Sequence, residues 1–313
     1  MPDLSLTQSD ADKILNAIQA NHIYAPNDFV PFQTEKALGY IPKTHLETYL
    51  DTGLFEYDEL KDILAFAGNV QGFNAKSEAI HTATAALIGK GLIRESTEPY
   101  KQERAVGDDT RLENPEFKID RAYYRHYGFM ADGVFMNVVI QKNSIPHVLL
   151  QVRSGRVENA NTYDFAIGGA VKFPQNLADA LKVQSLEEMG IALEALPEKI
   201  SETTFRFSET EKGWVTQNCH HLYAAYVDGV KTGEFDREEV QGFAILSIPE
   251  SIKACADGRF NRQNTQSFIS ALVTQNLMPE FPGSDKIREL VSQHMPPVSG
   301  RQIAPQKTPR FDI

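Results

Sequence analysis

The chain is poor in cysteine and has no long apolar run. Only Cys219 and Cys255 are present, and their spacing matches neither a metal-binding nor a redox motif. Two buried free thiols in a reducing compartment are therefore predicted. No stretch approaches the roughly 18 consecutive apolar residues that cross a bilayer, and residues 1–7 lack the basic and apolar pattern of a secretory signal. We accordingly expect a cytoplasmic protein without a membrane segment.

Basic residues are also in short supply. The chain has 31 lysines and arginines against 42 aspartates and glutamates, for a formal net charge of −11. This balance argues against a nucleic-acid backbone or an anionic membrane surface as the main partner. It leaves room for a phosphorylated small molecule, because such a ligand needs only a few local cations or a metal ion. The sequence leaves the oligomeric state open, with a homodimer among the alternatives.

With 313 residues the chain is long enough for two domains. The first, over residues 1–120, is expected to be a small α+β unit without a chemical motif of its own. Thr7 or Ser9 can cap a first helix. The spacing of apolar residues and prolines then predicts two short strands at 29–32 and 39–42 and two helices at 43–51 and 76–89. A polar connection is expected at 95–120.

A second domain is predicted over residues 121–295, followed by a flexible tail at 296–313 that is rich in proline and polar residues. Its apolar runs predict strands at 134–140, 147–153, 165–167, 203–208, 219–227 and 242–248. A hairpin turn is expected at 143–146. Helices are predicted over 177–189 and 264–275, the first ending at Gly190.

The informative segment is 169–191, which holds a glycine turn, a loop and a helix that ends in Glu187-Glu188-Met189-Gly190-Ile191. It resembles the Nudix box, G-x5-E-x7-R-E-U-x-E-E-x-G-U, where U is a bulky aliphatic residue. The 23 residues from Gly169 to Ile191 are the full length of that box. Such a box holds divalent metal, because carboxylates four residues apart lie about 40° apart around a helix and hard cations prefer carboxylate oxygens. The metal neutralises the diphosphate charge and helps to activate water.

The segment departs from the box at three of its charged positions. The first glutamate of the pattern is Gln175, the arginine is Val183 and the glutamate that follows it is Gln184. A glutamine offers only a neutral carbonyl oxygen to a metal. The site thus loses one metal-binding charge, which puts efficient hydrolysis in doubt.

The flanking residues extend the resemblance over about residues 25–280. Tyr127-Gly128-Phe129, Glu239-Val240-Gln241-Gly242-Phe243 and the Phe29–Pro42 region are similar to the thiamine-pyrophosphokinase-related Nudix subfamily, in which an extra N-terminal domain occurs. The subfamily pattern has a second glutamate where this chain has Gln241. The resemblance implies a Nudix α/β/α sandwich with a mixed sheet after a small α+β domain. It also implies cleavage of a diphosphate linkage with Mg²⁺ or Mn²⁺, in thiamine diphosphate derivatives among others.

Carried onto this sequence, the resemblance assigns catalytic roles to Glu187, Glu188 and, as a neutral filler, Gln184. Metal binding falls to Glu187, Glu188 and Glu239. A solvated acidic turn is an equally good interpretation of Glu239, which follows Glu238.

Substrate contacts are predicted for Arg153, Gly168 and Gly169, where the arginine would hold a phosphate through paired N–H groups. Surface roles for Arg153 and Arg156 are equally compatible with the sequence. Trp214 and Phe207 are candidates to stack on a ligand ring, with core packing as the alternative. His220 and His221 are adjacent in a strand, so their side chains should point to opposite faces and form no common site.

Two functional hypotheses follow. The chain is a weak or specialised diphosphate hydrolase, or it is a Nudix-fold protein that has lost catalysis and binds or senses a diphosphate compound. A third hypothesis treats the N-terminal unit as an interaction module and the second domain as a scaffold.

Overall fold

The computed structural model describes residues 5–22, 26–96, 102–107, 114–142, 145–157, 159–194, 196–209, 213–229 and 232–294. The strands are β1 (Phe29–Gln33), β2 (Leu38–Pro42), β3 (Phe55–Asp58), β4 (Ile63–Phe66), β5 (Glu103–Val106), β6 (Phe117–Asp120), β7 (Met130–Lys142), β8 (Ile145–Arg153), β9 (Tyr163–Phe165), β10 (Ile167–Ala170), β11 (Lys199–Glu209), β12 (Trp214–Val227) and β13 (Val240–Ser247). The helices are α1 (Gln8–Ala20), α2 (Leu46–Asp51), α3 (Gly72–Gly89), α4 (Leu177–Met189), α5 (Ile248–Ala256), α6 (Arg262–Thr274) and α7 (Ser284–His294).

The N-terminal unit is a four-stranded sheet in the order β2-β1-β4-β3. Phe32, Ile41 and Leu64 of this sheet lie in one core cluster with Ala83 and Leu87 of α3. The apolar positions of α3 recur at the helical spacing seen in the sequence, so one face of the helix is buried. Sheet and helix thus form the expected α+β unit.

The second sheet has the central strand order β11-β12-β7-β8-β13, with β10 paired to β7 and β9 paired to β8. Strand β12 runs parallel to β7, whereas β8, β10 and β11 form antiparallel pairs with their neighbours. The sheet is therefore mixed, as predicted. Its central position explains why β7 is buried along nearly its whole length.

Helices cover both faces of the mixed sheet. On one face, Val134 and Met136 of β7 pack with Leu181 and Met189 of α4. On the other, Phe135 and Val139 belong to a core cluster shared by α1, α5, α6 and α7. Alternate residues of one strand point to opposite faces, which produces these two cores. The layers form an α/β/α sandwich, and the predicted fold class is confirmed.

Hydrophobic packing cuts across the domain division predicted from sequence. Ile14 and Ile18 of α1 lie in the core of α5, α6 and α7 rather than in that of the N-terminal sheet. Tyr127 and Phe129 lie beyond residue 120 but pack in the N-terminal core. The boundary at 120/121 stays a prediction, and the tail at 296–313 lies outside the described residues.

Several predicted elements are found and others need correction. The helix over 177–189 is confirmed at both ends. The strands around it are present, most of them longer than predicted because only their buried centres carry the apolar pattern. The connection at 95–120 is wrong in part, since β5 and β6 form an antiparallel pair within it. The run at 165–167 is divided between β9 and β10.

β7 and β8 pair antiparallel, as the predicted hairpin requires, but residues 143 and 144 of its turn lie outside the described part. Helices α5 and α7 were not predicted. Cys219 and Cys255 are buried and free, as expected. In the part of the chain that the structure describes, no helix combines the length and apolar character needed to cross a membrane.

The two sheets contact each other through β2 and β12. The side-chain amide of Gln217 donates hydrogen bonds to the carbonyl of Leu38, at 2.9 Å, and to that of Gly128. The guanidinium of Arg206 donates to the Tyr40 hydroxyl at 2.9 Å and lies over the same ring. These polar bonds fix the N-terminal sheet against the edge of the sandwich.

Candidate functional site

Helix α4 has a strong start signal and a strong stop signal in its own sequence. The Asn176 side chain accepts a hydrogen bond from the backbone N–H of Asp179 at 2.9 Å, which caps the helix. Gly190 ends the helix in the left-handed conformation at φ 67°. A side chain at position 190 would also overlap the backbone of Glu234. These local signals fix the helical phase that places Gln184 and Glu188 toward the sheet.

Glu188 is buried at the junction between α4 and β10. Its Oε2 accepts a hydrogen bond from the backbone N–H of Gly168 at 2.6 Å, and its Oε1 accepts one from the side-chain amide of Gln151 at 3.2 Å. Burial raises the pKa of Glu188 well above its usual value, and the charges of Asp164 and Glu239 raise it further. The two hydrogen bonds act in the opposite direction and lower this pKa. The carboxyl is thus held in place by neutral donors in surroundings rich in negative charge.

Gln184 fills the space between α4 and the glycine pair of β10. A Cβ atom at position 169 would overlap the Gln184 carboxamide, so glycine is required there for this close approach. The Gln184 amide lies 3.5 Å from Oε2 of Glu187, which is exposed. The predicted catalytic residues Gln184, Glu187 and Glu188 are therefore neighbours, but only Gln184 and Glu188 face the sheet.

Asp164 is a second buried carboxylate near Glu188, and the sequence analysis did not select it. It accepts hydrogen bonds from the Asn264 amide at 2.6 Å and from Arg153 at 3.0 Å, besides the Phe165 backbone N–H. Burial raises the pKa of Asp164, whereas Arg153 and the hydrogen bonds act in the opposite direction. The short segment at 163–165 gave no periodic signal for this role.

Arg153 was predicted to bind a substrate phosphate, and the structure gives it an internal partner. Its guanidinium forms an ion pair with Asp164 at 3.0 Å. Arg156 is exposed and pairs with the equally exposed Glu238 at 2.7 Å. Arg153 therefore compensates a buried charge of the protein, and a contact with substrate stays a prediction.

Glu239 lies at the exposed turn before β13. Its backbone carbonyl accepts a hydrogen bond from the backbone N–H of Ser154 at 2.9 Å, and the Ser154 hydroxyl donates to the carbonyl of Glu238. These bonds fix the turn beside the end of β8. The charge of Glu239 is close enough to raise the pKa of Glu188.

The donor chemistry at this junction suits a hard divalent cation. The charges of Asp164 and Glu239 both raise the pKa of Glu188. The one cation among the causes that shift the pKa of Glu188 or Asp164 is the Arg153 guanidinium. Within the described residues, however, no set of three His, Cys, Asp or Glu side chains that includes Glu188 has its ligand atoms within 4.8 Å of one another. Mg²⁺ is commonly held by one or two carboxylates together with substrate phosphates. Glu188 with Glu239 or Glu187 fits this shared mode of binding and not a complete protein cage.

A compact polar cluster lies elsewhere on the same sheet. Asp132, Cys219 and His221 have potential ligand atoms within 4.8 Å of one another. His221 Nε2 is 2.8 Å from Asp132, and its Nδ1 is 3.0 Å from Glu202 in an ion pair that is not aligned as a hydrogen bond. Burial lowers the pKa of His221, but Asp132, Cys219 and Glu202 outweigh burial and raise it to about 11. The raised pKa corresponds to an imidazolium held between two carboxylates.

His220 and His221 point to opposite faces of β12, as predicted. The His220 ring bonds to the Ser267 hydroxyl of α6 at 2.7 Å. Burial lowers the pKa of His220 to about 3, and the nearby His221 charge contributes. One histidine is therefore neutral and the other charged, and they form no common site.

Comparisons with known proteins give structural similarity at low identity. No family profile and no curated protein matches the chain. An Ap4A hydrolase from C. elegans superposes with a TM-score of 0.33 at 15% identity, over 47% of this chain and 96% of the other. A MutT Nudix hydrolase from Burkholderia pseudomallei superposes with a TM-score of 0.29 at 18% identity, over 38% of this chain and 83% of the other. A bifunctional NMN adenylyltransferase/ADP ribose pyrophosphatase from Francisella tularensis superposes with a TM-score of 0.34 at 16% identity, over 46% of this chain and 41% of the other. Values at this level assign the chain to no family.

Proposed function

We propose that this protein is a Nudix-type hydrolase that cleaves a diphosphate linkage in a small molecule with the help of a divalent cation. The observation that carries the proposal is the placement of Glu188. The last carboxylate of the box-like helix is buried against the glycine strand, with its Oε2 bonded to the N–H of Gly168. A solvated helix end, the alternative interpretation of the Glu-Glu-Met-Gly segment, would leave this carboxylate exposed.

The chain's own residues hold and orient this carboxylate. Gly168 and Gln151 fix its two oxygens, and α4 is anchored at both ends by Asn176 and Gly190. Rigid support of this kind keeps a binding group in position before the ligand arrives. A bound Mg²⁺ or Mn²⁺ would neutralise phosphate oxygens and lower the pKa of a bound water. Glu188, with Glu239 or Glu187, would hold the ion together with the substrate.

The proposed substrate is a small-molecule diphosphate, with a thiamine diphosphate derivative as the first compound to test. The thiamine assignment depends on the resemblance of the flanking segments and on nothing in the site geometry. The substrate contact proposed for Gly168 and Gly169 depends on the same resemblance, because the Phe135 ring occupies the space beside Gly168 and the Gln184 carboxamide that beside Gly169.

A hydrolysis screen tests the proposal. Release of phosphate from thiamine diphosphate and from ADP, and formation of AMP from ADP-ribose, would be followed with Mg²⁺, with Mn²⁺ and with EDTA. We expect release that requires metal and falls at least tenfold in Glu188→Gln, which removes the charge but keeps the size. The control Glu47→Gln changes an acidic residue of α2 and should retain activity. Hydrolysis that is equal in wild type and Glu188→Gln would overturn the proposed site.

A second candidate function is binding of a diphosphate compound without turnover. It is favoured by the finding that, among the described residues, Glu188 belongs to no set of three closely spaced ligand groups. Gln184 stands where the resemblance places another metal-binding glutamate. If this candidate is correct, diphosphate compounds raise the melting temperature of the wild type without being hydrolysed, and Gln184→Glu gains metal-dependent hydrolysis.

A further inference from the structure

A cavity of 1030 Å³ lies between the N-terminal unit and the mixed sheet. One wall comes from residues 94–96, 104, 121–126 and 129, and the other comes mainly from β12 and the start of α6. Neither wall includes Glu187, Glu188 or Glu239 among the described lining residues. The volume exceeds what one or two waters need and is in the range of small-molecule binding sites.

Positive charge is concentrated in this cavity. Arg94, Arg104, Arg121, Arg125 and Arg262 line it, and the single acidic residue among its described lining residues is Glu95. The chain as a whole carries a formal charge of −11, so this local excess opposes the overall balance. Burial lowers the pKa of Arg104, and the charges of Arg121 and Arg125 lower it further. Tyr124 and Asp132 act in the opposite direction and raise this pKa. Like charges are thus gathered at close range.

The described part of the chain offers these arginines no carboxylate within 4.0 Å, in contrast with Arg153, Arg156 and Arg288. Arg121 donates to the side-chain oxygen of Gln102, a neutral partner, at 2.9 Å. A guanidinium can donate five hydrogen bonds in a planar fork that matches phosphate oxygens. Several such groups around one cavity form an anion site.

Aromatic rings hold three of the guanidinium groups in place. Arg104 lies 5.5 Å from the centre of the Tyr124 ring, Arg125 lies 5.4 Å from that of Trp214, and Arg262 lies 5.9 Å from that of Phe207. A contact of this kind restricts the long arginine side chain, and it does not occupy the N–H groups in the plane of the guanidinium as hydrogen-bond donors.

The same cavity has apolar and neutral polar walls. Phe129, Phe207 and Phe260 line it and are each almost fully buried in the protein. Asn218 also lines it, and its buried side-chain nitrogen has no hydrogen-bond acceptor among the described residues. A buried donor without an acceptor is costly, and a ligand oxygen would satisfy it. Cations, an amide donor and phenyl rings together suit a ligand with phosphates at one end and a ring at the other.

We propose that this cavity binds an organic phosphate, a small molecule that carries one or more phosphate groups on a ring-containing body. The arginines and Asn218 hold the phosphate oxygens, and the phenylalanines contact the ring. Binding needs no divalent cation, because the protein itself supplies the positive charge. The inference does not depend on hydrolysis at the box, since the two groups of residues do not overlap.

Trp214 makes the proposal directly measurable. It is the only tryptophan of the chain and it lines the cavity. Full-length protein would be titrated in EDTA with ADP, adenosine and inorganic pyrophosphate, and followed by tryptophan fluorescence and by calorimetry. We expect saturable binding of ADP, at least tenfold tighter than that of adenosine or of pyrophosphate alone. Absence of ADP binding in both measurements, or equal affinity for ADP and adenosine, would overturn the proposal.

Variants locate the binding. Arg104→Gln and Arg125→Gln should each weaken ADP binding at least tenfold; Arg125 is exposed, so its variant keeps the test valid if the buried change at Arg104 prevents folding. The control Lys61→Gln removes one positive charge from an exposed pair with Asp58 and should bind as the wild type does. Equal affinity in wild type and Arg125→Gln would contradict the assignment.

The same titration separates this inference from the proposed hydrolase function. Glu188→Gln should bind ADP in EDTA with wild-type affinity, whether or not the wild type hydrolyses any diphosphate with metal. Loss of metal-free binding in Glu188→Gln would show that the ligand occupies the box region, and the cavity assignment would then be wrong.

Discussion

The backbone N–H of Gly168 donates a hydrogen bond of 2.6 Å to Oε2 of Glu188, and this bond joins the glycine strand to the last turn of α4. The two residues are 20 positions apart: Gly168 directly precedes the segment that resembles the box, and Glu188 lies near the end of that segment. The bond explains why the second glutamate of the Glu-Glu pair is buried while the first is exposed. It also makes the packing around α4 the part of the site most sensitive to substitution.

Gly169→Ala is expected to destabilise the protein, because the added Cβ would overlap the Gln184 carboxamide. Forcing extra volume into a packed contact costs about 1–3 kcal/mol. Urea unfolding followed by circular dichroism measures the change. Gly155→Ala is the matched control, since nothing lies within 4 Å of a Cβ there, and it should unfold close to the wild type. Equal stability of the two variants would show that the Gly169–Gln184 approach is unimportant.

Lys76→Ala is expected to be strongly destabilising. The Lys76 ammonium lies 2.6 Å from the buried Glu116 carboxylate, and both side chains are almost fully inaccessible. Removal of one partner from a buried pair leaves an uncompensated charge, at a cost of about 3–5 kcal/mol. Lys90→Ala breaks an exposed pair with Asp51, for which less than about 1 kcal/mol is expected. Chemical denaturation of both variants tests the contrast, and similar losses would refute it.

Stability should fall as the pH rises above neutrality because of His221. Asp132, Cys219 and Glu202 outweigh the effect of burial and raise its pKa from 6.5 to about 11. A raised pKa in the folded state contributes stability that is complete below pH 6.5 and is lost as the pH approaches 11. The pKa of Glu202 is lowered, chiefly by His221, so its contribution is present above 4.5 and is lost in acid.

Urea midpoints at pH 6 and pH 9 provide the measurement. We expect a decrease in the wild type that is smaller in His221→Gln, in which the titrating ring is absent. His81 is exposed, and His81→Gln should keep the wild-type decrease. The same decrease in all three proteins would mean that His221 does not control this range.

Gln184→Glu should lower stability in EDTA and restore it with Mg²⁺. The new carboxylate would lie beside the buried Glu188, and like charges at short range raise the free energy of the folded state. A divalent cation compensates them, and a ligand that binds only the folded state raises the melting temperature. The shift caused by Mg²⁺ should therefore be larger in Gln184→Glu than in the wild type. Gln71→Glu, an exposed change of the same kind, should show no additional shift.

The sequence by itself determined the local features of the box region. Asn176 and Gly190 define the ends of α4 through the cap and the left-handed turn, which depend on neighbouring residues only. The apolar periodicity predicted most of the strands of the second sheet, whereas the α/β/α sandwich with a mixed sheet was implied by the resemblance of the box segment and its flanks. Alternation in β12 was enough to separate His220 from His221, because adjacent strand residues face opposite sides.

Tertiary structure decided what depends on contacts between distant segments. Arg153 pairs with Asp164, and α1 packs with the last three helices, although nothing near these residues in the chain specifies either contact. The arginine cavity combines side chains more than a hundred residues apart. Local preferences act over a few residues, whereas burial and charge compensation act on whatever the fold brings together, and this is why only the structure revealed these partners.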